Sequence, residues 1–128
     1  MKLRLRGDSL RLRLTRSEVE RIGAGRSVAE TLHLPDGSEL RYTLMPGQAN
    51  DIRMTRDAHA VEVVVQVVAE QAHSWATSEV VGYSGDAPFQ VGPVSVLIEK
   101  DFACVTPRAG EEESDTFPNP QAVGVLSG

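Results

Sequence analysis

Arginine alternates with leucine through residues 2–15, KLRLRGDSLRLRLT. Successive side chains of an extended chain point to opposite faces, so this spacing gathers guanidinium groups on one side and leucines on the other. Arg4, Arg11 and Arg13 placed in this way can hold a small anion or an acidic protein surface. A second group ends an apolar run at residues 97–105, LIEKDFACV, where Glu99, Lys100, Asp101 and Cys104 follow one another closely. They form a possible polar site, with Cys104 as nucleophile or ligand. A reactive cysteine needs a basic neighbour or a helix N-terminus to hold its thiolate. On an extended chain Lys100 is ~13 Å from Cys104, so only a turn would bring them together. The same residues also read as a strand end whose charges pair with the N-terminal arginines, followed by a small buried thiol.

Other chemistries find little support. Arg6, Gly7, Asp8 and Ser9 spell an adhesion tripeptide and its neighbour, but a turn already accounts for the glycine and aspartate. His33, His59 and His73 are scattered, and no Cys-x-x-Cys or His-Glu-x-x-His occurs. Glu70 and His73 have the spacing of carboxylate-bridged metal sites, but such sites need several such ligands. GYSG at residues 82–85 is a turn rather than a nucleophile elbow, and no phosphate-binding loop occurs. No metal or cofactor is therefore implied. A sheet that binds nucleic acid stacks bases on aromatic side chains set among basic ones. Aromatic residues are 5% of this chain and none lies among the N-terminal arginines, so nucleic acid is not an expected partner.

Charge is unevenly distributed. Residues 1–26 carry eight basic and three acidic side chains, and the other 102 carry five basic and fifteen acidic ones, for a net charge of −5. A basic element beside acidic ones points to an anion site or to an internal match. With 128 residues, one domain is expected, large enough for a core without disulfides. No apolar run approaches a membrane span, no continuous signal-peptide core precedes the first charges, and there is one cysteine. A reducing, bacterial-type cytoplasm is the expected compartment.

Period-two alternation marks half-buried strands. A two-residue turn at Gly7 and Asp8 sets Leu5 opposite Leu10, Leu3 opposite Leu12 and Arg4 opposite Arg11, with all four leucines facing inward. A single strand bulged at Gly7 would also absorb the change of parity. Like charges directly opposite destabilise a sheet, so Arg4 against Arg11 calls for an acidic neighbour or a bound anion. Thr15 and Glu18 form a capping box that opens a short helix, with Val19 and Ile22 inward and Gly23, Ala24 and Gly25 closing it. Strands follow at residues 27–34 and 39–44 around a turn, which places His33 opposite Leu40.

The second half repeats this plan. Strands are expected at residues 52–55 and 60–67, a helix at 68–76, and strands at 80–83 and 91–99. A shift of 53 lays Leu10, Leu12 and Leu14 on Val63, Val65 and Val67, and Val19 and Ile22 on Ala72 and Trp75. A shift of 54 lays Leu40, Tyr42 and Leu44 on Val94, Val96 and Ile98. The expected fold is α+β, mainly antiparallel β, with two pseudo-repeated β-β-α-β-β halves (residues 1–46 and 51–99) forming a two-sheet or barrel-like domain over residues 1–106. Residues 61–68, VEVVVQVV, should be a central strand covered on both faces. Residues 107–128 read as an acidic tail containing proline and glycine, pinned by Phe117 and folded back toward the basic hairpin.

The pairing of KLRLRGDSLRLRLTRSEV with IEKDFACV and DTFPNP resembles a family of small, functionally uncharacterised bacterial proteins. That resemblance implies a bacterial, cytoplasmic, single-domain protein and carries no activity, ligand or site residue. The expected function is a non-catalytic binding or interaction module. Its basic face at Arg4, Arg11 and Arg13 would meet an unknown protein or a small anionic ligand, as a monomer or homodimer. The alternative is an enzyme or redox-responsive protein centred on Cys104 with Glu99, Lys100 and Asp101.

Overall fold

The structure, a computed structural model, describes residues 1–101 and Phe117. Its elements are β1 (Lys2–Arg6), β2 (Ser9–Leu14), α1 (Arg16–Gly23), β3 (Val28–His33), β4 (Glu39–Gly47), β5 (Asp51–Arg56), β6 (Ala60–Val68), α2 (Ala69–Ala76), β7 (Phe89–Val91) and β8 (Val94–Lys100). Two mixed four-stranded sheets form, ordered β1-β2-β8-β7 and β3-β4-β6-β5. Each half supplies two strands to each sheet. The joins between halves, β2 on β8 and β4 on β6, are parallel, and the other pairings are antiparallel. The sheets do not close into a barrel, so the two-sheet form of the expected α+β fold is the one adopted.

The repeat extends to the register. Leu10 pairs with Val96 and Leu12 with Ile98 in one parallel ladder. The shifts of 53 and 54 turn these into Val63 with Tyr42 and Val65 with Leu44, which are the pairs of the other ladder. The helices correspond as well, since α1 displaced by 53 covers the residues of α2, and Val19, Ile22, Ala72 and Trp75 are all buried. One core joins both helices and both sheets, with Leu12, Leu14, Leu44, Val67, Val96 and Ile98 fully enclosed. The strand of residues 61–68 is central, between β4 and β5. Its outward Val64 is buried between Thr43 and Arg53 of the neighbouring strands.

The first hairpin has the expected two-residue turn rather than a bulge, with Leu5 on Leu10 and Arg4 on Arg11. Gly7 takes a φ of +54°, the left-handed region that opens a type II′ turn and favours glycine. The capping box is present, with Glu18 N–H donating to Thr15 Oγ1 and Thr15 N–H to Glu18 Oε1. Glu18 also receives the Met1 ammonium at 2.6 Å, and Glu30 of β3 lies 2.8 Å from the same nitrogen. Burial alone would lower the pKa of that amine, but the two carboxylates outweigh it and the net shift is upward. The stabilisation is therefore present below pH 8 and is lost as pH rises through the raised value.

Several expectations are corrected. Leu5 is 64% exposed, because the hairpin tip reaches past the area that the core covers. His33 pairs with Glu39 and is exposed, while Leu32 faces Leu40. The connecting turn is one residue longer than expected, closed by Leu34 N–H to Ser38 C=O. Residues 80–83 are not a strand, and the expected strand over residues 91–99 is broken by a turn at Gly92 and Pro93 between β7 and β8. Beside β8, Gly82 makes one isolated bridge to Glu99. Gly85 N–H then folds back onto Gly82 C=O, and a Cβ on Gly82 would lie 2.1 Å from the Gly85 carbonyl oxygen. The chain thus leaves the sheet where a continuous strand would have run.

The helices pack against each other, and there Gly23 meets Ala76, its own counterpart under the shift of 53. A Cβ on Gly23 would lie 2.5 Å from the Ala76 Cβ, closer than two carbons can approach. Gly23→Ala should cost about 1–3 kcal/mol through overpacking. Combined with Ala76→Gly, it should show a coupling energy of about 1 kcal/mol or more in a urea-denaturation double-mutant cycle.

Candidate functional site

The arginines lie on the outer face of the sheet ordered β1-β2-β8-β7. Three rows cross it: Lys2, Arg13 and Glu99; Arg4, Arg11 and Leu97; and Arg6, Ser9 and Ser95. Glu99 Oε1 receives Arg11 Nε at 2.8 Å and Nη2 at 2.6 Å, which answers the charge of Arg11. Arg4, Arg6 and Arg13 have no ion-pair partner among the described residues. Arg4, Arg6, Ser9 and Arg11, with Leu97 and Pro88 as apolar walls, bound a cleft of about 300 Å³. The cleft therefore presents two unanswered guanidinium groups, a third held in place by a carboxylate, and a hydroxyl.

Of the three arginines singled out from the sequence, Arg4 and Arg11 line this cleft and Arg13 lies one row away. Arg6 was missed. The alternation that selects Arg4 places it on the same face, but its position next to the turn hid it.

Glu99, Lys100 and Asp101 do not converge on one site, because alternation along β8 divides them. Glu99 turns outward to Arg11, and Asp101 reaches Lys2 Nζ at 3.2 Å. Lys100 turns inward and is 5% exposed. Its Nζ donates to Ser78 C=O at 2.6 Å and lies 5.7 Å from the Trp75 ring centre and 5.4 Å from that of Phe117. Aromatic faces attract a cation, and two of them take the place of a carboxylate here. Burial pushes the Lys100 ammonium below the usual lysine range, with the charge of Glu79 opposing. Phe117 N–H donates to Asp101 C=O, and its ring also packs under Arg16. Cys104 and residues 111–115, the acidic run, lie outside the described residues.

A wider, shallower cleft of about 500 Å³ lies along α2, with Trp75 and Tyr83 in its wall. The polar groups of its two aromatic residues are already bonded within the fold. Trp75 Nε1–H donates to Val81 C=O, while the Tyr83 hydroxyl accepts from Val68 N–H and lies within donating distance of Asn50 Oδ1 and Gln71 Oε1. His73 Nδ1 is 3.1 Å from Gly23 O across the contact between the helices. Among the described residues, no three His, Cys, Asp or Glu side chains are close enough to share an ion, and no helix is long and apolar enough to cross a membrane.

The model of a family of unknown function, DUF7009, matches residues 1–121, a span that includes all ten elements and Phe117. The chain belongs to DUF7009. No curated protein and no solved structure matches it significantly. Among the described residues of this DUF7009 chain, the arginine cleft gathers guanidinium groups, those of Arg4 and Arg6, that have no carboxylate partner.

The buried amine gives a prediction with a definite sign. A lysine whose folded pKa lies below its unfolded value binds fewer protons folded than unfolded in that interval. Its contribution should make stability rise with pH between the lowered value and the ordinary 10.5. Lys100→Met should remove that rise in denaturation series across the alkaline range. An unchanged slope would show that Lys100 is not the group responsible.

Proposed function

We propose that this protein is a non-catalytic binding module that recognises anionic groups through the outer face of its first sheet. One observation carries the reading: Arg4 and Arg6 project beside the Arg11–Glu99 pair without a carboxylate of their own among the described residues. Holding Arg4 opposite Arg11 places like charges face to face, an arrangement that a sheet tolerates at a cost. An incoming anion would relieve that repulsion while gaining charge-assisted hydrogen bonds from both guanidinium groups and Ser9. Leu97 and Pro88 favour a ligand whose charged group is attached to an apolar part. Among the described residues that line the cleft, none is an acid or base that could activate the Ser9 hydroxyl, which is why binding is favoured over catalysis. Arg11 has a different role from Arg4 and Arg6, since Glu99 fixes its plane and lets it act as a positioned donor.

Calorimetric titration with tripolyphosphate tests this. Binding should be measurable at low ionic strength and weaken by roughly 10-fold or more when salt shortens the Debye length from ~30 Å to ~8 Å. The double variant Arg4→Ala/Arg6→Ala should abolish it without lowering the denaturation midpoint, because both side chains are exposed and Arg4 faces the like charge of Arg11. Absence of binding by the unaltered protein at low salt would overturn the proposal.

A further inference from the structure

We infer that the occupant of this face is an extended protein segment alternating acidic and apolar residues, which adds to the open edge of β1. The inference rests on the anion-binding reading above and names its ligand. β1 is the end strand of its sheet and pairs only with β2, and four of its five residues are exposed. In an antiparallel pair, alternate residues direct their backbone groups away from the partner strand. The two-residue turn makes Arg6 and Ser9 a hydrogen-bonded pair, so Leu3 and Leu5 are the residues whose N–H and C=O face outward.

An added strand would meet two different faces. On one, its side chains would lie beside Lys2, Arg4 and Arg6, a wholly cationic row that favours carboxylates. On the other, they would lie beside Leu3, which packs on the core, and Leu5, which is 64% exposed. Acidic and apolar side chains in alternation satisfy both faces, with backbone bonds supplying affinity and side chains supplying selectivity. The same cationic row works against pairing with the β1 edge of a second copy, since like charges would lie directly opposite.

The pseudo-repeat supplies an internal control. β5 occupies the equivalent edge of the other sheet, and Met54 pairs with Val63 as Leu5 pairs with Leu10. Met54 is likewise exposed, at 55%. The outward row of β5, however, is Asp51, Arg53 and Thr55, which has no single sign for a charged strand to match. An open edge and an exposed apolar side chain therefore occur in both sheets, and a cationic row in only one.

The test uses a capped synthetic peptide alternating glutamate and valine, and the same peptide N-methylated at alternate amides so that one edge cannot pair. Fluorescence anisotropy should show the unmodified peptide binding, with the methylated one weaker by at least ~10-fold, as expected when main-chain pairing supplies affinity. Hydrogen exchange should slow at the Leu3 and Leu5 amides when the unmodified peptide is added. Leu5→Glu, at an exposed position, should weaken binding, and Met54→Glu should not. Equal binding of the two peptides, with both lost in Arg4→Ala/Arg6→Ala, would overturn the edge inference and leave the anion reading standing. Loss through Met54→Glu alone would also overturn it. Failure of tripolyphosphate and both peptides to bind would end both readings.

Discussion

The two parallel ladders, β2 on β8 and β4 on β6, are the contacts on which the rest of the structure depends. Each joins strands from opposite halves of the chain, and neither sheet has more than an isolated hairpin without them. A lone two-stranded hairpin is at best marginal in water, so the local pairings gain their stability from these distant ones. The residues of the ladders are also the most deeply enclosed, with Leu12, Leu14, Ile98, Leu44 and Val67 at the centre of the shared core. The pairings span long stretches of sequence, and the cost of closing such loops precedes any gain from the contacts. Slow folding relative to a helical protein of this length is the expected consequence.

Polar groups then fix the ends of elements that apolar packing has brought together. Glu18 illustrates this, holding the Thr15 N–H at the start of α1 while accepting the Met1 ammonium. Its counterpart under the shift of 53 is Gln71, yet Val68 replaces the capping threonine and offers no side-chain bond. Tyr83 fills the gap by placing its hydroxyl between Val68 N–H and Gln71. The same helix start is thus closed directly in one half and through a borrowed hydroxyl in the other. The loop that supplies Tyr83 has no equivalent in the first half, where only four residues separate α1 from β3. On the outer face, Glu99 serves in a similar way by holding Arg11, while Arg4 and Arg6 have no ion-pair partner among the described residues.

Much of this was legible in the sequence because it follows from short-range rules. The Leu and Arg alternation about Gly7 pointed to the first hairpin and its register, with a bulged strand as the alternative, and Thr15 with Glu18 marked the start of the first helix. The shifts of 53 and 54 revealed the repeated plan, but not that the two halves would join through parallel ladders. What escaped depended on tertiary placement. Alternation assigns Leu5 to a face, but only the extent of the opposing layers decides whether that part of the face is covered. Residues 80–83 are rich in strand-forming side chains, yet the tight return between Gly82 and Gly85 takes the chain out of the sheet. Sequence proximity suggested that Glu99, Lys100 and Asp101 act together, although the same period-two rule that revealed the arginine face sends Lys100 into the interior.

The Gly23–Ala76 contact marks where the two halves meet their own counterparts, and it bears on how such a protein can arise. A polypeptide with only one β-β-α-β-β unit would leave both of its hairpins waiting for strands it does not possess. Two molecules of it would have to meet, and their encounter would depend on concentration. The short link between β4 and β5 removes that dependence by keeping both units on a single molecule. It also frees each copy to diverge, which is how one sheet could become basic on its surface while the other stayed mixed.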